Sequence, residues 1–361
     1  MVKKIFSVIT ATGSYIPPHI VKNEDFIQNE FFSSSGSRID KKSEEIIEKF
    51  KQITEIEERR YVDDHYNTSD IGYFAARKVL ENSGTNKEEL DYIIVAHNFG
   101  DVAKSKHHTD MVPSIASRIK YKLGIENPYT IAYDLPFGCP GWLQALIQAD
   151  YFIKSGDAKK IMVVGSETLS RVSDPHDIDT MLYADGAGAV LLESVLSEEE
   201  TGIIAHITRS DTLRHNQLLT MNVSYNPSYI PDDIFLKMNG RKLYEYALNT
   251  VPQVVRDCIA KAGIFISDIK KVLIHQANAK MNQAIFSRLF NLFGIDNAPL
   301  DLMPMTISKL GNNSVATLPI LFDLLVHGNL PGQNICKGDY IVFASVGAGM
   351  NINALIYRNP F

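Results

Sequence analysis

The chain has 361 residues, 45% of them hydrophobic and 22% charged, the profile of a soluble globular protein long enough for two ordinary domains. A net charge of −6 lacks the basic surplus of a general nucleic-acid binder. No run nears the roughly 18 apolar residues of a membrane span, and three cysteines (Cys139, Cys258, Cys336) form no disulfide framework and fit a reducing cytoplasm.

The opening Met1-Val-Lys-Lys-Ile-Phe-Ser-Val-Ile-Thr superficially looks like a secretory signal. Its apolar stretch is short, is broken by Ser7 and Thr10, and runs into Gly13 and Pro17-Pro18, so it reads as a first strand and turn. Residues 30–60, rich in Ser, Lys and Glu, predict an exposed helical excursion. Asp70–Leu80 is an amphipathic helix with Asn67, Thr68 or Ser69 at its N-cap. Short Ile/Val/Leu runs follow at Tyr92–Ala96, Ile161–Gly165, Ala189–Leu192, Val272–Ile274 and Tyr340–Ala344. Each suits a strand in a sheet covered on both faces. Helices are predicted over Gly141–Lys154 and over Arg241–Ala262, the latter stopped at Gly263. Residues 210–240 mix Asn, Pro, Tyr and Asp without period and read as an irregular, lid-like insertion. Strands alternating with helices predict an α/β fold.

The sequence also repeats itself. Ile93-Ile-Val-Ala-His-Asn98 is similar to Val272-Leu-Ile-His-Gln-Ala277, and Met162-Val-Val-Gly-Ser166 to Ile341-Val-Phe-Ala-Ser345, each pair 179 residues apart. Two similar halves are expected, 1–195 and 196–361, joined by the polar connector around Ser197-Glu-Glu-Glu200, with a site where they meet.

Cys139 lies in Tyr133-Asp-Leu-Pro-Phe-Gly-Cys-Pro-Gly-Trp142, just before a predicted helix. The positive end of a helix dipole favours thiolate, the nucleophilic form; a free thiol can equally be an inert buried one. Cys258, inside a helix, and Cys336, in a polar turn, read as structural. His275 ends a buried strand in Ile274-His-Gln-Ala-Asn278, where a base could project, though a satisfied core histidine fits as well. His97, its counterpart in the first half, reads as core. His107-His108 with Asp110 lacks a second ligand cluster at metal spacing. Asn312, in Leu310-Gly-Asn-Asn-Ser314, sits in an ordinary turn composition. Gly347-Ala-Gly349 after a strand could present bare amides to an oxyanion, but neither it nor Asp185-Gly-Ala-Gly188 has a nucleotide-binding pattern.

Together these segments resemble the β-ketoacyl-acyl-carrier-protein synthase III family of thiolase-fold condensing enzymes. Thr12-Gly-Ser-Tyr-Ile-Pro17, Gly138-Cys-Pro-Gly141, Ala184-Asp-Gly-Ala-Gly-Ala189, His275-Gln-Ala-Asn278, Gly311-Asn-Asn-Ser314 and Gly347-Ala-Gly349 occur in family order across the chain. The resemblance implies a five-layered αβαβα fold of two similar halves, a homodimer and no cofactor. It implies that Cys139 takes an acyl group from a thioester, and that His275 and Asn312 stabilise the enolate formed when a malonyl thioester loses CO2. The amides of Cys139 and Ala348 would form the oxyanion hole, and Lys280 and Arg288 would dock an acyl carrier protein. Where many members sandwich adenine between tryptophan and arginine, this chain has Ile46-Ile-Glu-Lys49 and Ile178. That departure favours a carrier-protein-bound starter and leaves coenzyme A esters open. Val112 stands where the family places a bulky aromatic reaching across the dimer, so a roomier acyl pocket is expected. A specialised-metabolite synthase joining two acyl or β-ketoacyl thioesters, giving a resorcinol, quinolone or polyketide, is the alternative. A non-catalytic partner subunit would ordinarily lack the cysteine. A hydroxymethylglutaryl-type synthase would need a glutamate base, and Glu167 reads as lying away from the site.

Overall fold

The computed structural model describes residues 3–104, 106, 108–229 and 233–360. Met1, Val2 and His107 therefore lie outside the described residues. The first half runs β1 (Lys4–Tyr15), β2 (His19–Lys22), α1 (Ser43–Thr54), β3 (Glu58–Tyr61), α2 (Thr68–Ser83), β4 (Tyr92–Ala96), α3 (Ile115–Leu123), β5 (Ile131–Leu135), α4 (Gly141–Ser155), β6 (Lys160–Thr168) and β7 (Asp185–Ser197). The second runs β8 (Gly202–Ser210), α5 (Thr212–His215), β9 (Leu219–Asn222), β10 (Phe235–Met238), α6 (Gly240–Ala262), β11 (Ile269–Ile274), α7 (Ala279–Asn291), α8 (Ile307–Leu310), α9 (Thr317–Val326), β12 (Tyr340–Gly347) and β13 (Asn351–Arg358).

Two mixed sheets carry the fold, one ordered β1-β7-β6-β4-β5 and the other β8-β13-β12-β11. In each, two parallel strands (β4 with β6, β11 with β12) are followed by two antiparallel pairings. The strands that repeat in sequence thus hold corresponding places, and β5 is an extra edge strand of the first sheet.

Side chains alternate across each strand, so both sheet faces need cover. Ile93, Val95, Met162 and Val164 pack on Ile71, Ala75 and Val79 of α2 and Ile115 and Ile119 of α3. Their neighbours Ile94, Ala96, Ile161 and Val163 face the other way, onto Leu143, Leu146 and Ile147 of α4 and Leu318, Leu321 and Phe322 of α9. The same two helices cover Leu273, Ile341, Phe343 and Leu355 of the second sheet. Its far face, with Val272, Ile274, Val342 and Ala344, meets α6 and α7. The order is helix, sheet, helix, sheet, helix, the expected five layers, with α4 and α9 in the middle.

Helix α2 starts as predicted, with Asn67 and Asp70 exchanging hydrogen bonds at its N-terminus. Two expectations change. The 30–60 segment is not simply exposed: Phe31, Ile46 and Phe50 are buried in a cluster beside the first sheet. The 210–240 stretch holds a hairpin, β9 paired with β10, rather than irregular chain. Its strands are only four residues each, too short for period-two alternation to stand out among the surrounding Asn, Pro and Tyr. Among the described residues no helix is long and apolar enough to cross a membrane.

Candidate active site

Cys139 sits in the turn between β5 and α4, directly before the first helical residues. Gly138 is left-handed at φ +68, and a Cβ there would lie 2.8 Å from Ala348 N. A Cβ on Gly347 would lie 2.5 Å from Cys139 N. Only glycines let these two backbones approach so closely. The contact sets the amides of Cys139 and Ala348 at one wall.

His275 follows β11, its N–H donating to Ala344 O of β12 at 2.9 Å. The rest of its motif holds it in place. Gln276 donates from Nε2 to Pro304 O (3.0 Å) and accepts from Thr306 N (2.7 Å), while Asn278 caps α7 by accepting from Met281 N. Asn312 is threaded between the halves: its N–H donates to Leu182 O, and Ala184 N–H donates to its carbonyl, both at 2.9 Å. Gly311 needs its left-handed φ of +62, because a Cβ there would meet Arg59 Cβ at 2.9 Å. Ser314 N–H donates to Asn312 Oδ1 at 2.9 Å, which leaves the amide Nδ2 as the group available to the cavity.

Cys139, His275, Asn312, Gly347 and Ala348 line one cavity of about 430 Å³. Its remaining wall is largely apolar, with Phe99, Leu169, Leu219, Met221, Leu236 and Val346. The hairpin read as a lid supplies the Leu219–Met221 and Leu236–Met238 side. An outer cavity of about 740 Å³ shares Met238, Leu243, Ala277, Met281 and Asn312 with the inner one. Ile39, Ile46, Phe50, Ile53 and Ile178 line it, with Lys41, Lys49 and Arg241 among its charged residues. The two cavities adjoin at these shared residues, and the inner one holds the sulfur.

Burial alone drives the His275 imidazole down to about 4, so it is neutral at physiological pH. Its Nδ1 is buried with no hydrogen-bond partner among the described residues. The Cys139 thiol departs from the expected thiolate bias. Burial pushes it up to about 11, the Glu167 charge adds to the rise, and a hydrogen bond from Ser314 pulls the other way. Desolvation thus outweighs the helix terminus before substrate binds.

Glu167 corrects a second expectation, because it lies beneath the site rather than away from it. Its Oε2 accepts from Asn98 N (3.0 Å) and Asn98 Nδ2 (2.7 Å). Asn98 Nδ2 also donates to Ser314 Oγ at 3.0 Å, and Ser314 Oγ donates to Cys139 Sγ at 3.3 Å. Asn98, Glu167 and Ser314 were missed in the sequence. Ser314 stands two residues from Asn312, but Asn98 and Glu167 reach the site only through the pairing of β4 with β6.

Lys280 and Arg288 are exposed on α7, the helix that opens at the outer cavity; Arg288 also donates to Asn249 Oδ1 of α6 at 2.6 Å. Val112 is 86% exposed and lines neither cavity of its own chain. Cys258 is buried against Ala354 O, and Cys336 is exposed. His97 is fully buried, 2.9 Å from Asp134. Among the described residues no group of three or more His, Cys, Asp or Glu could hold a metal ion.

Residues 133–212 match the 3-oxoacyl-[acyl-carrier-protein (ACP)] synthase III family, and residues 259–359 match its C-terminal part. The β-ketoacyl-[acyl-carrier-protein] synthase III of Xanthomonas campestris pv. campestris is 31% identical over 362 residues, covering 99% of this chain and 100% of that protein. The crystal structure of 3-oxoacyl-[acyl-carrier-protein] synthase III from Aquifex aeolicus is similar with a TM-score of 0.78 and 28% identity, covering 98% of this chain and 99% of the other. That of the Pseudomonas aeruginosa synthase III shares the fold with a TM-score of 0.81 at 24% identity, over 99% of each chain. With this fold, these glycine-shaped turns and this full-length similarity, the chain belongs to the β-ketoacyl-[acyl-carrier-protein] synthase III family of condensing, acyl-transferring enzymes of fatty-acid biosynthesis.

Proposed function

We propose that the protein primes chain growth in two stages at Cys139. The sulfur attacks an acyl thioester, the S–C bond forms, and the carrier leaves as its thiol. A malonyl thioester then enters along the outer cavity and loses CO2. Its enolate oxygen is held by the N–H of neutral His275 and by Asn312 Nδ2, two donors aimed where charge develops. The enolate carbon attacks the acyl-cysteine carbonyl, whose oxyanion lies against the Cys139 and Ala348 amides. Collapse expels the Cys139 thiolate, which takes up a proton, and releases a β-ketoacyl thioester. The observation that carries this reading is the convergence of Cys139, His275, Asn312 and Ala348 on one apolar cavity.

The finer assignments belong to the same reading. The aliphatic outer cavity, with Ile46 and Ile178 in its wall, favours the flexible arm of an acyl carrier protein over coenzyme A. Lys280 and Arg288 would steer an acidic carrier to that opening. The two halves, 1–195 and 196–361, meet at the site. A homodimer would form along β5, whose outer edge has no partner strand among the described residues, and would bring Val112 of one protomer toward the acyl cavity of the other.

Intact-protein mass spectrometry after incubation with acyl-carrier-protein and acyl coenzyme A thioesters tests the first stage. An acyl adduct in the parent protein and none in Cys139→Ala is expected, with loading from the carrier protein preferred. Folded protein that takes no acyl group from either carrier would sink the reading.

A further inference from the structure

We propose that Ser314 is a further catalytic residue, its hydroxyl donating to the Cys139 sulfur in a direction fixed by Asn98 and Glu167. The inference rests on the reading of Cys139 as the nucleophile.

The direction follows from what each group can do. Asn98 Nδ2 is a donor only, so at 3.0 Å from Ser314 Oγ it obliges that oxygen to accept. The serine proton is then left for Cys139 Sγ, 3.3 Å away. With Glu167 ionised, as it is for the most part at pH 8, the Asn98 amide cannot turn round without setting its oxygen against Glu167 Oε2, which already accepts from its Nδ2 at 2.7 Å and from its backbone N–H at 3.0 Å. Three hydrogen bonds, from Glu167 through Asn98, therefore lead to one hydroxyl pointed at the sulfur.

The backbone agrees. Ser314 is one of two described non-glycine residues with positive φ, at +51. Such a conformation persists only where its surroundings impose it. Here its N–H is tied to Asn312 Oδ1, so one residue orients both the nucleophile and the enolate donor. Besides Glu167 beneath it, the ionisable groups near the sulfur are His275 in the same cavity wall and Tyr183. The sulfur bears negative charge when it attacks and again when it departs. A hydroxyl donor favours both moments; the thiol proton ends on the departing carrier thiol in the first, the expelled Cys139 thiolate takes one up after the second, and Ser314 keeps its own throughout.

Carbamidomethylation of Cys139 by iodoacetamide tests this, followed by intact mass at pH 8 in a Cys336→Ser background. Acyl loading of the same proteins is read in parallel. Ser314→Ala should alkylate about tenfold more slowly, the effect of one unit in thiol ionisation. Asn98→Leu should slow in the same sense, and the double variant should be no slower than Ser314→Ala. Glu167→Gln keeps an acceptor for Asn98 while removing the charge under the sulfur, so it should alkylate faster. All variants should alkylate alike once unfolded in denaturant. Mere loosening of the site would expose the thiol and speed every variant, and that result overturns the proposal. So does an unchanged rate in folded Ser314→Ala; if that variant does not fold, an unchanged rate in Asn98→Leu does the same. A parent that alkylates at Cys139 but takes no acyl group overturns the nucleophile reading instead.

Discussion

Burial with no charge partner holds the His275 imidazole neutral, which suits a hydrogen-bond donor and has a measurable cost. The unfolded chain takes up a proton below about 6.5, whereas the folded protein resists it until about 4. Stability is therefore lost as pH falls through that window, on the order of 3 kcal/mol for this residue. Glu167 works in the opposite sense: burial raises it to about 7, so the stability of its protonated form is lost as pH rises from about 4.5 toward 7. Comparing His275→Asn with the parent isolates the first effect. The difference between their thermal midpoints should grow in favour of His275→Asn as pH falls from 6.5 to 4. A constant difference would mean that the imidazole titrates in the fold as it does in the unfolded chain. Cys139, His275 and Asn312 were legible in the sequence because their motifs are local. Each is flanked by the glycine, cap or anchor that its turn requires. The state of the thiol was not, because a helix terminus can be seen in a sequence and desolvation cannot.

The hairpin of β9 and β10 shows what an element adds to that picture. Leu236 and Met238 face the cavities while Lys237, between them, points the other way. There Lys237 Nζ pairs with Asp174 and with Asp177 (3.1 Å) and lies 3.5 Å from the centre of the Tyr225 ring. Asp174 also accepts from Ser224 Oγ and Tyr225 N, so it ties both the strand and the preceding turn to the chain beyond β6. Breaking a buried pair strands the surviving charges. Lys237→Met should lower stability by about 3 kcal/mol in denaturant titrations and weaken discrimination between starter chain lengths. Unchanged stability would show that the two carboxylates find other partners. None of this was legible in residues 210–240, because a four-residue strand carries too few alternations and Asp174 lies some sixty residues from Lys237.

At the scale of the molecule, the repeat in the sequence foretold the two sheets, since strands that recur at one spacing rebuild the same layer. The extra strand β5 breaks that symmetry. Its open edge carries Ile131, 48% exposed, close to Tyr129, 83% exposed. Among the described residues this edge is unpaired, and in the dimer proposed above it would meet the same edge of a second copy across a two-fold axis. Ile131→Lys sets like charges across that seam and should shift sedimentation from dimer toward monomer. Sedimentation that does not move would place any association elsewhere.

Cys139 and Ser314 stand just before α4 and α9, the two helices of the middle layer, which pack on both sheets at once. The Cys139 sulfur and the Ser314 hydroxyl are thus both anchored on the middle layer, one helix coming from before the Ser197-Glu-Glu-Glu200 connector and one from after it. On the chemistry proposed above, a turnover measurement would double as a folding assay, because it needs the middle layer seated between both sheets.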